Sequence, residues 1–328
     1  MQNHLSSKSS KNSIISMPKV SVCIPVRNGT EFIEKAVLSV LQQTYQNFEL
    51  IVVDNFSTDN TVDLVGKFTS ITDKIKLYKN EKNIGLIENF NACLYKSTGK
   101  YIKFLCADDV LMPKCLELMV SSLELNDSAS LVTVGRLLIN EEDKALVLKS
   151  YVKEETLIPG HAVINRCLFG ANYIGEPSAT MFRREILTEG FNAKFPHLVD
   201  LEMWFRLLEK GDLISIPLPL CGIRRHNSQM TQQNIQSPIL VEDNIRLFDI
   251  YKSKSYVEQN LIAQFERKFR MAYRIWISRK YIKTKRRNQI LKTHSSYIIY
   301  YIFMPILTLM LTLFRKLYYK LPSTFISK

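Results

Sequence analysis

The sequence predicts an α/β protein whose core is a mostly parallel β-sheet with helices on both faces. Short apolar segments rich in β-branched residues alternate with amphipathic helical segments from Lys19 onward, which is the pattern of strands joined by crossover helices. The composition is globular, with 46% hydrophobic and 23% charged residues, which excludes a disordered, collagen-like or coiled-coil chain. A length of 328 residues leaves room for one large α/β domain and an additional region.

The strands and helices alternate most regularly in the first third of the chain. Strands are predicted at Val20–Val26, Phe48–Asp54, Ile75–Tyr78 and Tyr101–Leu105. Helices are predicted between them, at Ile33–Leu41, Thr61–Phe68 and Leu86–Lys96. The later part of the chain is less regular, and it predicts a strand at Leu131–Ile139 and a helix at Leu198–Lys210.

The positive charge of the chain is concentrated at its C-terminal end. Residues 261–328 contain 15 Lys and Arg residues and one acid, Glu266, a balance of +14, whereas the residues before them have a balance of −1. Blocks of one sign usually contact an anionic surface, either a lipid headgroup layer or a nucleic acid. We therefore predict a flexible polar segment at 1–17, a globular domain at 18–260 and a basic C-terminal helical region at 261–328.

An uncharged run of 18 residues, Tyr297–Phe314, lies within this basic region. Its length is at the lower limit for a membrane span, and its basic flanks together with Pro305 fit an interfacial helix about as well. A buried core helix is the remaining alternative.

Residues 1–17 lack the long apolar core of a signal peptide, and the six cysteines show no paired spacing. We therefore expect the protein at the cytoplasmic face of the cell membrane.

Polar clusters stand at or just beyond the ends of three predicted strands, at Pro25–Gly29, Asp54–Asn55 and Asp108–Asp109. In an open parallel sheet, ligands bind beyond the carboxyl ends of the strands, so these clusters are expected to line one crevice. Two adjacent carboxylates suit a hard divalent cation, although an acidic turn that caps the following helix is the simpler alternative. The dinucleotide fingerprint G-x-G-x-x-G and the P-loop pattern are both absent.

Several short polar and glycine-containing motifs follow one another along the chain. They are Val20–Gly29, Ser39–Thr44, Glu49–Thr61, Asn83–Gly85, Asn91–Ala92, Thr98–Ile102 and Ala107–Asp109. This ordered series resembles glycosyltransferase family 2 over roughly residues 19–230. The resemblance implies the GT-A fold, inversion at the anomeric carbon, a nucleotide-sugar donor such as a UDP-sugar, and Mn²⁺ or Mg²⁺ as the cofactor. It also implies a glycan or lipid-linked acceptor, as in polysaccharide biosynthesis.

The resemblance assigns roles to residues at the strand ends. Pro25 and Arg27 match positions that line the nucleotide pocket, and Asp108 matches a carboxylate near the ribose. Asp54 and Asn55 match an Asp-Asp pair that binds the base. Asparagine at the second position departs from the family. Because an amide donates hydrogen bonds as well as accepting them, this departure weakens the implied preference for uracil.

The metal site and the acceptor side follow from the same resemblance. Asp109 matches the metal-binding carboxylate, while Cys106 stands where relatives often carry a third aspartate, which leaves fewer metal ligands. Arg224 and His226 resemble a basic Arg-x-His sequence that contacts the diphosphate or the metal, and we assign Arg224 to the donor and His226 to the metal. Gly175–Ser178 falls where relatives carry an acceptor-side loop.

Asp200 is the predicted general base. Its segment resembles the Glu-Asp motif that opens a helix in the family, with Val199 in place of the glutamate. Residues two apart on a helix differ by about 200° in direction, so Asp200 and Glu202 cannot both face the sugar. The positive end of the helix dipole is expected to keep Asp200 ionised at neutral pH, as a base must be.

Two other classes of protein remain open on the sequence. A nucleotidyltransferase shares the fold and the metal-binding carboxylates, but it would carry a glycine-rich loop after the first strand, where this chain has Gly29 alone. A non-enzymatic protein that binds a membrane surface or a nucleic acid would explain the basic region but not the carboxylates at strand ends. We expect a glycosyltransferase whose partners are the donor, the acceptor and the membrane surface, without nucleic acid.

Overall fold

The computed structural model describes residues 19–169, 172–226, 239–277, 284–293, 297–303 and 305. The predicted flexible segment at 1–17 and residues 306–314 of the uncharged run lie outside the described residues. The strands are β1 (Val20–Val26), β2 (Phe48–Asp54), β3 (Ile75–Lys79), β4 (Tyr101–Phe104), β5 (Val110–Leu111), β6 (Ala129–Ile139), β7 (Ala145–Lys149), β8 (Thr156–Ile158), β9 (Thr180–Arg183) and β10 (Asp212–Arg224). The helices are α1 (Ile33–Leu41), α2 (Thr61–Thr69), α3 (Leu86–Lys96), α4 (Cys115–Leu125), α5 (Gly160–Phe169), α6 (Val199–Leu208), α7 (Ile239–Tyr251), α8 (Leu261–Ile277) and α9 (Thr284–Thr293).

The first four strands form a parallel half of the sheet, as predicted. They lie in the order β3-β2-β1-β4, and each neighbouring pair is parallel. β1 and β2 pair in register, so that their last residues, Val26 and Asp54, lie opposite each other. The carboxyl ends of these strands therefore meet at one edge of the sheet, where the polar clusters are found.

The other half of the sheet is mixed rather than parallel. β9 is antiparallel to both β4 and β6, and β10 is parallel to β6 but antiparallel to β5 and β8. β7 is antiparallel to β6 because only residues 140–144 join them, and a parallel pairing needs a crossover of about a dozen residues or more. The expectation of a parallel sheet thus holds for β1 to β4, and the sheet as a whole is mixed.

Each face of the sheet is covered by its own apolar cluster. Successive side chains of a strand point to opposite faces, and in β1 Val22 and Ile24 belong to one cluster whereas Cys23 belongs to the other. The first cluster packs α1, α2 and α4 against the sheet, and the second packs α3, α5, α6 and α7. This three-layer arrangement confirms the predicted helices on both faces.

The C-terminal helices form a third, smaller cluster. α7 contributes Leu247 and Tyr251 to the second cluster of the main body and Val241 to the third cluster. The other buried members of the third cluster lie after residue 260, at Met271, Ile275, Ile290, Leu291 and Tyr297. Within the described part of the chain, no helix has both the length and the apolar character needed to cross a membrane.

Candidate active site

The loops after β1 and β2 are joined by hydrogen bonds at the edge of the sheet. The Asn55 backbone N–H donates to the carbonyl of Val26 over 2.8 Å, and the Asn28 N–H donates to Ser57 Oγ over 2.8 Å. Asn28 adopts a φ of 52°, in the left-handed region that asparagine tolerates better than most residues. Two of the three predicted polar clusters are thus held against each other by contacts between their loops.

Asp54 offers a buried hydrogen-bond acceptor in this region. Its Oδ2 atom accepts the backbone N–H of Ser57 over 3.0 Å, whereas Oδ1 has no hydrogen-bond partner among the described residues. The side chain is only 2% exposed, and a buried acceptor without a partner is costly unless a ligand supplies a donor. Of the neighbouring predicted residues, Pro25 is buried within β1 and Arg27 is exposed just after it.

Asn55 uses its amide within the protein. Its Nδ2 atom donates to Asn83 Oδ1 over 2.9 Å and to the Gly85 carbonyl over 3.1 Å. Its Oδ1 atom accepts the Ile84 N–H over 2.9 Å and Asn80 Nδ2 over 3.3 Å. These four bonds use the full capacity of an amide, so they do not fit the predicted contact with the base, and we assign Asn55 to holding the loop before α3.

Asp108 and Asp109 form the third polar cluster with Cys106. The Sγ atom and one carboxylate oxygen of each aspartate all lie within 4.8 Å of one another. Asp109 is 3% exposed, and it accepts Ser178 Oγ over 2.6 Å and the Arg224 backbone N–H over 2.9 Å. Asp108 is more exposed, and its Oδ2 atom lies 3.0 Å from His226 Nε2.

The chemistry of this cluster fits a divalent cation. Burial, and then repulsion from the adjacent Asp108, hold the pKa of the Asp109 carboxyl well above its usual range. A bound cation would offset both effects, and carboxylate oxygens with an imidazole nitrogen are suitable ligands for Mn²⁺. The side chains of Asp108, Asp109 and His226 therefore fit the implied metal as its ligands.

Arg224 stabilises the backbone around this site through buried hydrogen bonds. Its side chain is fully buried, and its guanidinium donates to the carbonyls of Asp108 and Asn140 over 2.8 Å each and to Asp143 Oδ1 over 2.6 Å. Such burial does not fit the predicted contact between Arg224 and the donor. The next residue, Arg225, is partly exposed and lies 3.7 Å from Glu176, so it is the more accessible cation at this point of the chain.

The Gly175–Ser178 segment connects the aspartate cluster to the helix that carries Asp200. Ser178 donates to Asp109 at one end of the segment, and the Gly175 carbonyl accepts Trp204 Nε1 over 3.2 Å at the other end. Glu176 forms a 2.9 Å ion pair with Arg136, a residue whose side chain is 2% exposed. Gly175 has a φ of 117°, and a Cβ atom there would lie 1.7 Å from Arg136 Nη1, so glycine is required.

Asp200 lies in the first turn of α6, and its carboxylate accepts the Leu201 N–H over 2.7 Å. The helix dipole alone predicts an ionised group, but burial has the larger effect. Burial raises the pKa of Asp200 to about 7, the charge of Glu176 adds to the rise, and the Leu201 hydrogen bond offsets only part of it. A carboxyl with a pKa near neutrality is well matched to general base catalysis.

Glu202 has a structural partner instead. It is 6% exposed and forms a two-pronged ion pair with Arg206, with distances of 3.0 and 3.1 Å. Arg206 in turn donates to the carbonyls of Glu189 and Gly190, which fixes the loop before α6. This pairing supports the choice of Asp200 rather than Glu202 as the candidate base.

Three supporting residues were not identified from the sequence as site residues. Ser178 lies in the segment that the sequence assigned to the acceptor side, but nothing in the sequence indicates its hydrogen bond to Asp109. Lys103 is fully buried and donates to the carbonyls of Ser178 and Phe104, and a lysine within an apolar strand was a usable signal. Asp243 of α7 is 1% exposed and accepts the N–H groups of His197 and Leu198 just before α6, for which no sequence signal exists.

The chain is similar to known glycosyltransferases in sequence and in structure. The family model described as glycosyl transferase family 2 matches residues 21–191. The Escherichia coli protein named UDP-Glc:alpha-D-GlcNAc-diphosphoundecaprenol beta-1,3-glucosyltransferase WfgD is 28% identical over 218 residues, which cover 66% of this chain and 79% of WfgD.

Two solved structures show the same fold at low sequence identity. S. aureus TarS 1–349, in complex with UDP-GlcNAc, has a TM-score of 0.57 at 16% identity, over 86% of this chain and 89% of that one. A mannosyltransferase from Pyrobaculum calidifontis, in complex with GDP-Man and Mn²⁺, has a TM-score of 0.51 at 18% identity, over 90% and 84% of the two chains. With the family match over more than half its length, this chain belongs to glycosyltransferase family 2 and is a glycosyltransferase of the GT-A fold.

Proposed function

We propose that this glycosyltransferase moves a sugar from a UDP-sugar to a hydroxyl group of a glycan or lipid-linked acceptor, with inversion at the anomeric carbon. The observation that carries the proposal is the Gly175–Ser178 segment, which touches the Asp109 carboxylate at one end and the Asp200 helix at the other. The donor and the acceptor can therefore react in one crevice. The family match disfavours the nucleotidyltransferase and the non-enzymatic binding protein.

The donor nucleotide lies against the ends of β1 and β2. Asp54 Oδ1 accepts a hydrogen bond from the base, Pro25 and Arg27 line the pocket, and Asp108 lies near the ribose. Uracil carries an N–H group that suits such an acceptor. A UDP-sugar is further supported by the name of WfgD and by the UDP-GlcNAc complex of TarS.

Asp108, Asp109 and His226 would hold Mn²⁺ or Mg²⁺. When bound, such a cation neutralises the charge that develops on the leaving diphosphate. Arg225 is a partly exposed cation that lies beside Glu176 and directly precedes His226 in the chain, and it adds positive charge on the diphosphate side of the site. A metal role is further supported by the Mn²⁺ in the mannosyltransferase complex.

Asp200 accepts the proton of the acceptor hydroxyl. The acceptor oxygen then forms a bond to the anomeric carbon on the face opposite the leaving nucleoside diphosphate, and the bond from that carbon to the diphosphate oxygen breaks. The proton remains on Asp200 until solvent removes it. Attack from the opposite face inverts the configuration in a single displacement.

We further propose that the C-terminal region binds the cytoplasmic face of the membrane, where a lipid-linked acceptor would be available. Phe265 of α8 contacts Tyr300 at a ring-centroid distance of 5.5 Å, which joins α8 to residues 298–303. Exposed apolar side chains, namely Leu261, Phe265, Ile299, Ile302 and Phe303, lie on these two segments of the strongly basic region. Apolar burial and basic charge both favour binding to an anionic lipid surface.

A donor screen tests the proposed reaction. Full-length protein is incubated with UDP-glucose, UDP-GlcNAc and GDP-mannose, each with and without Mn²⁺, and with a lipid-linked or glycan acceptor, and the released nucleoside diphosphate is measured. We expect release from one UDP-sugar that depends on acceptor and Mn²⁺, and a product of inverted anomeric configuration. Retained configuration, or transfer from GDP-mannose alone, would contradict the proposal.

Liposome sedimentation tests the membrane proposal separately. Wild-type protein should sediment with anionic vesicles, and the double variant Ile302→Asp, Phe303→Asp should lose most of this binding. Ile71→Asp is the matched control, because Ile71 is 75% exposed but lies outside the basic region. Equal sedimentation of all three proteins, or none with the wild type, would contradict membrane association through this surface.

A further inference from the structure

One cysteine stands apart from the other five. Cys23, Cys93, Cys115, Cys167 and Cys221 are buried members of the two apolar clusters on the sheet. Cys106 is partly exposed and belongs to neither cluster. Its Sγ atom instead lies within 4.8 Å of a carboxylate oxygen of both Asp108 and Asp109. Apolar packing explains the five buried cysteines and does not explain this one.

Ser178 fixes the Cys106 backbone relative to the Asp109 carboxylate. The Ser178 hydroxyl accepts the Cys106 backbone N–H over 2.9 Å and donates its own proton to Asp109 Oδ2 over 2.6 Å. One side chain, which is fully buried, thus positions both the cysteine and the aspartate. A buried contact therefore holds the Cys106 backbone beside Asp109, and from that position Sγ lies within 4.8 Å of the carboxylate oxygens.

We propose that Cys106 is a ligand of the divalent cation and makes this site bind thiophilic ions more tightly than Asp108, Asp109 and His226 would without it. Thiolate sulfur is a soft ligand that favours Zn²⁺, Cd²⁺ and Co²⁺, whereas Mg²⁺ prefers oxygen and holds its water tightly. On binding, the Sγ–metal bond forms and the thiol proton passes to the buffer. The inference rests on the proposed metal site and adds the class of ion that it takes.

One consequence distinguishes this site from one with an aspartate at position 106. Cd²⁺ and Zn²⁺ compete with Mn²⁺ for the site, and replacement of Cys106 by aspartate weakens this competition. Loss of a residue that hydrogen-bonds to a metal ligand typically lowers metal affinity by about 10–100-fold, and loss of a direct ligand should cost at least that much for Cd²⁺.

Co²⁺ absorption tests the ligand directly, with the metal alone as the probe. Full-length protein titrated with Co²⁺ should develop a sulfur-to-cobalt charge-transfer band in the near ultraviolet. Cys106→Ser and Cys106→Asp should lack the band, and Cys93→Ala, which removes a buried cysteine from an apolar cluster, should keep it. A wild-type spectrum without the band, or a band that survives in Cys106→Ser, would overturn the proposal.

Alkylation of the wild-type protein provides a measurement that needs no variant. Iodoacetamide should modify Cys106 faster than the five buried cysteines, and Cd²⁺ should protect Cys106, both measured by mass spectrometry. Modification that Cd²⁺ leaves unchanged would also overturn the proposal. If the protein transfers sugar but shows no cobalt band, the proposed function stands and Cys106 is not a metal ligand. If it shows the band but transfers sugar from no donor, Cys106 is a metal ligand and the proposed function is wrong.

Discussion

The two halves of the sheet contribute to the active site in different ways. In the proposed reaction, the parallel half, β1 to β4, supplies the donor side through residues that follow strand ends, such as Asp54 and Asp108. The mixed half would supply the acceptor side through Asp200 and the Gly175–Ser178 segment, which leads into β9, the strand between β4 and β6. Changes on the donor side should therefore affect donor binding, and changes on the acceptor side should affect turnover.

The largest effect is expected from Asp200→Asn, on the acceptor side. A positioned general base contributes typically about 10²–10⁴-fold to the rate, so kcat should fall by that factor while the KM for the donor stays near the wild-type value. Steady-state kinetics of nucleoside diphosphate release measure both quantities. Glu202→Gln is the control: it breaks the pair with Arg206 and should cost stability more than turnover. Loss of turnover in Glu202→Gln with an active Asp200→Asn would reverse the assignment.

Asp54→Asn tests the donor side with the opposite signature. An amide has one oxygen where the carboxylate has two, so it can accept from the base or from the Ser57 N–H but not from both, and a charged hydrogen bond worth about 1.5–3 kcal/mol is lost. The KM for the donor should rise about 10–100-fold with kcat little changed. An unchanged KM accompanied by a lower kcat would contradict the assignment of donor binding to the parallel half and of turnover to the mixed half.

The pH dependence follows from burial of Asp200. A base with a pKa raised to about 7 must lose its proton before it can act, so kcat/KM should fall about tenfold per unit below pH 7. The same shift affects stability, because the folded-state pKa lies above the unfolded value of about 3.9. The stabilising contribution of protonated Asp200 is present below that unfolded value and is lost as the pH rises through 7. Asp200→Asn should therefore raise the melting temperature at about pH 8 and have little effect at about pH 4.

Asn55→Asp gives the smallest expected effect, and it restores the residue that is usual in the family. A carboxylate cannot donate to Asn83 Oδ1 or to the Gly85 carbonyl, so two acceptors lose their donor. The free energy of unfolding should fall by about 1–3 kcal/mol, as measured by chemical denaturation. Asn55→Ala is the control that adds no charge; it loses these two bonds and also the two that Asn55 Oδ1 accepts from Ile84 and Asn80. Equal stability of Asn55→Asp and the wild type would mean that the amide network does not fix this loop.

Asp243 shows how the acceptor side depends on a distant part of the chain. It lies on α7, beyond the matched family region, and its carboxylate accepts two backbone N–H groups just before the helix of Asp200. Nothing about a single aspartate in an amphipathic helix indicates such a contact. Pairings of this kind depend on how helices pack, and they were out of reach of motif and periodicity.

The sequence by itself determined the elements of the parallel half and the main candidate carboxylates. Hydrophobic periodicity is a property of contiguous residues, and strand ends in a parallel sheet share one edge, so Asp54, Asp108 and Asp109 could be placed together. The tertiary structure alone decided which polar groups are already used. Arg224 and Asn55 were assigned to the donor from their motifs, yet burial and hydrogen bonds to residues far along the chain commit both to the protein itself. It also decided that burial outweighs the helix dipole in setting the pKa of Asp200. The desolvation of a carboxyl depends on every element packed around it, and no local sequence pattern encodes that total.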